Sequence, residues 1–454
     1  MSRGPLQPSP PTRVVYVAAS GESVATPLRW SFLLFVFTIP LEFVDAGFTS
    51  SSLSLARAAG LLFFATCLTY PKRCFPRLPG AIWWFIGYIT IYSLNGLFIP
   101  EEFWDGFFVG LFTRIQLIIL FWVASSLLRD NKLARSALLA LSMASLLLSL
   151  GMIFKIPGFY VPMTEGRVTS VGANPNGIAL NIAWAVIILL GLQSDKSVQR
   201  LWYKVLSVVS ILFLLVALMF TGSRGGIGAL VIGASIYLLP SLGIKRKKAL
   251  LLWGIFTIVT IVYMVVNDPA VSSRWEKTYY EGNTSGRDKI AEAAITMISE
   301  RPIFGWQPVS SYFELGRRVK WRGARDPHNL YLHLLIEVGF VGMVPFLVGL
   351  WLCVRAAWKA RQGEMGLMPL ALLGILLAAT VTGSMLTEKQ TWLFLALSLA
   401  SASILPAEQR RRARVLLKDQ SSRIGRRMHW RWSRSIPKQV TGSQKSFTIR
   451  LRRH

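Results

Sequence analysis

The chain has 454 residues, 53% of them hydrophobic and 16% charged, against roughly 25% charged in an average soluble domain; a water-soluble body could not cover its own surface with so few. The net charge of +28 invites a nucleic-acid reading, but its distribution excludes one. Residues 407–454 hold fifteen Lys/Arg against Glu408 and Asp419, and most of the remaining excess lies in short loops between apolar blocks, which is how a membrane-orientation signal is written.

Residues 1–28 are polar, with prolines and serines, and are expected to be a disordered cytoplasmic N-terminus. No cleavable signal peptide is expected, because the first apolar run starts late and more follow it. Blocks near the ~20 residues that a bilayer span requires recur at 29–45, 53–70, 80–98, 107–127, 135–154, 174–192, 202–219, 224–241, 248–266, 330–354, 367–386 and 390–405. The fold class expected is all-α: a polytopic membrane protein of about 12 transmembrane helices. Residues 29–406 form the membrane domain, and 407–454 a basic cytoplasmic tail lying on anionic lipid.

Lys/Arg alternate along the loops. The even-numbered loops carry Lys72, Arg73 and Arg77; Arg129 and Lys132; Lys196, Arg200 and Lys204; Lys245 to Lys248; and Arg355, Lys359 and Arg361. The odd ones are acidic or nearly neutral, as with Glu101, Glu102 and Asp105. Both termini are therefore expected in the cytoplasm. The long segment 267–329 then lies outside, the only loop large enough to fold, and it carries ten Lys/Arg and eight Asp/Glu against the usual bias. An anionic ligand is the natural reason for exporting that much positive charge. Cys67, Cys74 and Cys353 have no metal-ligand spacing and read as packing residues.

Several positions could carry chemistry. Glu42 and Asp45 end the first span; more simply, they are polar helix-end residues. Arg57 sits near the outer end of span two and Arg114 inside span four, where an ionisable residue is a functional candidate. Thr221-Gly-Ser-Arg-Gly-Gly226 opens span eight, with Arg224 at a helix start flanked by small residues: a natural phosphate site, or else an interfacial anchor. Ser285-Gly-Arg-Asp288 fits a capping box before a helix that runs to Glu300, with Ile290, Ala294, Met297 and Ile298 on one face. Arg287 in its first turn opposes the helix dipole, a mild cost that a ligand would explain. In Asp326-Pro-His-Asn-Leu-Tyr-Leu-His333 the loop returns to the membrane. His328, with an ordinary pKa near ~6.5, suits a general base; the alternative is that His328-Asn329 only caps a helix. His333 is off the i+4 face, so a two-histidine metal site has little support, and no metal or other cofactor is expected. Two arginines and a histidine on one side suit a diphosphate leaving group and an incoming hydroxyl.

These stretches resemble the superfamily of O-antigen ligases and polymerases. The resemblance is carried by Gly222-Ser-Arg-Gly-Gly226, by Ser285-Gly-Arg287 with the helix and Pro302-Ile-Phe-Gly-Trp306 that follow, by Pro327-His-Asn through Glu337-Val-Gly339-Phe-Val-Gly342, and more weakly by Gly172-Ala-Asn-Pro-Asn176. It implies an enzyme of the bacterial inner membrane, with helices of a periplasmic loop over a cavity. Such an enzyme moves a glycan from undecaprenyl diphosphate to a hydroxyl acceptor, without metal. The acceptor is a lipid A-core sugar in a ligase and another lipid-linked repeat in a polymerase. Carried over, Arg224 and Arg287 hold the diphosphate and His328 is the base, with Arg114, Asn329, Glu42 and Asp45 as secondary candidates. A transporter using Arg114 and Arg57, or a transferase using Glu42 or Asp45 as base, are the competing readings.

Overall fold

A computed structural model describes residues 24–42, 54–163, 166–170, 173–193, 201–238, 286–361 and 363–403. They form helices α1 (Thr26–Thr38), α2 (Leu55–Thr69), α3 (Gly80–Gly96), α4 (Trp104–Leu127), α5 (Asn131–Ile153), α6 (Pro175–Gln193), α7 (Leu201–Phe220), α8 (Arg224–Leu238), α9 (Arg287–Glu300), α10 (Ser310–Arg318), α11 (Leu330–Ala360), α12 (Met368–Thr380) and α13 (Lys389–Ala402), besides shorter turns. A two-stranded antiparallel hairpin pairs Val161 with Thr169 and Pro162 with Val168.

Of the twelve expected spans, 248–266 lies outside the described residues, and each of the others coincides with a helix. Among the described residues, five helical segments are long and apolar enough to cross a membrane: Glu101–Leu127, Asn131–Ile153, Pro175–Gln193, Leu201–Phe220 and Leu330–Ala360. Thr26–Leu41, Leu55–Thr69, Arg224–Leu238 and Met368–Thr380 are apolar but shorter. The three cysteines are free and buried. Residues 407–454, the basic tail, lie outside the described residues.

Helix starts follow the sequence. Asp130 accepts from the Lys132 and Leu133 amides at 2.9 and 3.3 Å, Asn329 accepts from Tyr331 and Leu332 at 2.9 and 3.1 Å, and the Ser223 hydroxyl accepts from Gly226 at 3.1 Å. Each supplies an acceptor for amides that the helix leaves orphaned, a contribution of about 1 kcal/mol. Ser285, where a capping box is expected, lies outside the described residues; Gly286 takes the N-cap position of α9 at φ +74°. Glycine alone adopts that conformation without cost.

Helix α11 packs against α3 and α13, α4 against α13, and α8 against α6 and α12. Its 31 residues would span about 46 Å if continuous, more than a bilayer core needs. It is not continuous: Gly339 has φ +62° and ψ −168° and breaks it. The segment Pro302–Trp306 fills the break. Trp306 N–H donates to the Ile336 carbonyl at 2.6 Å, Phe340 N–H to Pro302 at 2.9 Å and Val341 N–H to Ile303 at 3.2 Å. A freed helical amide or carbonyl in apolar surroundings costs several kcal/mol unless it finds such a partner. Gly305, at φ +72°, lies so close that a Cβ there would come within 2.8 Å of the Gly339 nitrogen.

A small second core forms under the loop helices. Ile290, Ala294 and Met297 of α9 meet Leu315 of α10 and Ile336 of α11, with Trp306 and Leu332 at its edge. The face expected of α9 is thus the buried one.

Contacts between loops sort by sequence parity. On one side, Glu42 pairs with Lys389, Asn95 with the Phe304 carbonyl, Phe103 with Phe313, Arg167 with the Thr221 carbonyl, and Asp326 with Ser384. On the other, Ser126 donates to the Arg73 carbonyl, Trp122 to Pro76, and Asn131 pairs with Glu364. The first set joins odd-numbered loops and the span ends beside them, and the second joins even-numbered loops and the span ends beside them, the alternation that the charges trace.

Candidate functional site

His328 lies in the turn that feeds α11. Its backbone has φ +53°, a left-handed conformation in which a non-glycine residue needs support. Asp326 gives that support: its Oδ1 accepts from the His328 amide at 2.5 Å, an Asx turn closed two residues on. The same Oδ1 lies 3.7 Å from the imidazole Nδ1, while Oδ2 accepts from the Ser384 hydroxyl at 2.5 Å. Burial lowers the His328 pKa below its ordinary value; Asp326 pulls it upward, and Arg325 and Arg287 push it downward. The half-exposed imidazole is neutral, and so able to accept a proton, over more of the pH range than a free histidine.

That Arg287 bears on His328 places the first residue of α9 within electrostatic reach of the imidazole. Arg224 is the first residue of α8. Its neighbour Gly225 faces Thr382, whose Oγ1 would lie 3.4 Å from a Cβ at that position. Thr382 belongs to the connection between α12 and α13, which also receives the His328 loop: Ser384 holds Asp326, and the Val381 carbonyl accepts from Asn329 Nδ2 at 3.2 Å. The 381–389 connection is therefore the common floor of the Arg224 helix end and the His328 turn.

Behind Arg224 the sequence echo at 172–176 finds its purpose. Asn176 Oδ1 accepts from Ser223 Oγ at 2.9 Å and from the Arg167 guanidinium at 3.2 Å, and Arg167 Nε donates to the Thr221 carbonyl at 2.9 Å. Arg167 and Asn176 thus clamp the turn between α7 and α8 from the side of the hairpin and α6. Gly226 packs directly on Ala179, so the small residues of the motif serve close helix approach as well as any ligand.

The secondary candidates separate. Arg114 is buried against Glu337, its Nη2 donating to both carboxylate oxygens at 2.9 and 3.0 Å; its Nε donates to the Tyr88 hydroxyl at 3.0 Å, and Tyr92 lies 3.9 Å beneath the guanidinium. An arginine so neutralised braces α4 to α11. Asn329 is the α11 cap. Glu42 is engaged by Lys389 on the 381–389 connection, and Asp45 lies outside the described residues. His333, one turn above Glu337, is buried; its Nε2 lies 3.3 Å from Glu337 and 2.7 Å from the Tyr312 hydroxyl. It joins α10 to the membrane helix.

Sequence reasoning missed Asp326, Ser384, Arg167 and Tyr312. Asp326 stood two residues from His328 and could have been found as an Asx-turn former; Ser384 carried no local signal.

With this geometry in hand, the comparison with protein families is informative. Residues 208–347 match the model described as O-antigen ligase. That stretch is similar to the O-antigen ligase family. It contains Arg224, Arg287 and His328, the break at Gly339 and the Pro302–Trp306 segment that fills it. The family implies ligase-like or polymerase-like glycan transfer, and with the apolar helices it marks an integral membrane protein. No curated protein matches the chain.

Proposed function

We propose that the chain transfers a glycan from undecaprenyl diphosphate to a hydroxyl acceptor at the periplasmic face of the bacterial inner membrane, in the manner of an O-antigen ligase. The observation that carries this reading is the joint placement of His328 under the influence of Arg287 and, across the 381–389 connection, beside the start of the Arg224 helix. A donor enters with its diphosphate between the two arginines. The acceptor hydroxyl gives its proton to the imidazole as its oxygen bonds to the anomeric carbon. The bond from that carbon to the diphosphate oxygen breaks, and the arginines meet the charge left there. The loop 267–329 then lies over the site on the outer side, with both termini and the tail 407–454 on the cytoplasmic side.

Purified full-length protein in liposomes, given a lipid-diphosphate glycan and a lipid A-core acceptor, should form the transferred product. His328→Ala should lower turnover by about 100-fold or more, the usual range for a lost acid-base group, with the melting temperature kept. Full turnover by His328→Ala rules out the base assignment. Product on a second lipid-linked repeat instead of on the lipid A-core sugar makes the enzyme a polymerase.

A further inference from the structure

Transfer through His328 needs more than a histidine at the right place: the ring must present one nitrogen to the acceptor and keep its proton on the other. Asp326 makes three contacts that bear on this. It closes the turn on the His328 amide, faces Nδ1 at 3.7 Å, and receives the Ser384 hydroxyl from the connection on which the Arg224 helix also rests. We propose that Asp326 is a positioning residue for glycan transfer, fixing the Nδ1–H tautomer of His328 and, through Ser384, the register of that base with the Arg224 helix end.

The inference rests on His328 being the base. At 3.7 Å the carboxylate is too far for a hydrogen bond to Nδ1, but its negative charge favours the proton on that nitrogen and leaves the Nε2 lone pair to take the proton of the acceptor hydroxyl. The imidazolium formed as the new carbon–oxygen bond closes then sits against a negative charge. The strained backbone of His328 is the second sign. A left-handed histidine persists only where its surroundings over-determine it, and such strain collects at functional positions. Arg325 and Arg287 act on the same ring with the opposite sign, so Asp326 is the charge that keeps the imidazole basic enough to be useful.

The test uses the full chain in liposomes with Asp326→Asn, Ser384→Ala, the double variant and His328→Ala. Asp326→Asn retains an oxygen for the turn and a polar group for Ser384 while deleting the charge. The pH profile of kcat/KM is read alongside the pH midpoint of His328 carbethoxylation, followed by peptide mass spectrometry. Asp326→Asn should lower kcat by about tenfold or more, a part of what a whole acid-base group supplies, and should move the acid limb and the labelling midpoint to lower pH together. Ser384→Ala should lower kcat less, and the double variant should lose less than the two single losses combined, because both act through one contact. An unmoved labelling midpoint in Asp326→Asn, whatever its rate, overturns the proposal. Full turnover by His328→Ala would instead remove the base assignment, while the labelling midpoint still reports whether Asp326 acts on the ring.

Discussion

At the scale of single residues, the imidazole of His328 is governed by charges of both signs. Burial and the two arginines favour the neutral ring, and Asp326 favours the charged one. Because the base must be neutral to act, activity should rise with pH through its pKa. Removing Arg287 takes away a charge that lowers that pKa, so Arg287→Ala should shift the acid limb of kcat/KM to higher pH, the direction opposite to Asp326→Asn. A limb that stays in place would separate Arg287 from the base. The sequence made His328 and both arginines visible because charged groups at helix starts and re-entry points are rare in so apolar a chain. It hid the partners. Ser384 is fifty-eight residues from Asp326, and nothing local to a serine in an apolar stretch marks it as a hydrogen-bond donor to a distant turn. Arg114 is a case of a second kind. An arginine inside a span is visible in the sequence, but its partner Glu337 is not, because the pairing appears only when α4 and α11 are brought together.

At the scale of elements, the broken helix α11 organises the loop. Gly339 frees backbone groups, and the Pro302–Trp306 segment satisfies them. The two glycines face each other backbone to backbone, so a methyl group at either has no room. Gly305→Ala should cost about 1–3 kcal/mol from the strained φ alone, with close contact adding to it, read as a lower melting temperature and weaker hydrogen-exchange protection across α9 and α10. Arg114→Ala leaves the buried Glu337 carboxylate with only His333 and the Tyr88 hydroxyl beside it, and the lost ion pair should cost up to about 3–5 kcal/mol, the range for breaking a buried pair. Replacing both members by methionine should recover part of that loss, and failure of the double variant to recover any would show that the pair is not the source. Here the sequence was half legible. Helix periodicity placed α9 with its buried face correct, but the apolar run 330–354 reads as one span because the break depends on backbone angles at a single glycine.

At the scale of the whole molecule, loop contacts within each parity set agree with the alternation of charge. The alternation was readable because Lys/Arg bias acts on each loop separately and needs no tertiary information. The count of spans is less direct, since several helices are shorter than a full crossing and their ends are set by packing. Sidedness can be measured in the native background because Cys67, Cys74 and Cys353 are buried. Phe98→Cys, at an exposed odd loop, should react with an impermeant maleimide in spheroplasts, and Lys132→Cys should react only after the membrane is opened. The reverse pattern would place the arginines and His328 in the cytoplasm, where a lipid-linked periplasmic donor could not reach them.

The central claim is that two arginines bind the diphosphate and a histidine does the chemistry. Binding of undecaprenyl diphosphate to the full chain in detergent, compared among the native protein, Arg224→Ala, Arg287→Ala and His328→Ala, separates these roles in one titration. Each arginine variant should bind about tenfold or more weakly, the loss expected when a charge-assisted contact worth at least ~1.4 kcal/mol goes, and His328→Ala should bind as the native protein does. Unchanged affinity in both arginine variants would contradict the assignment of this site to the diphosphate.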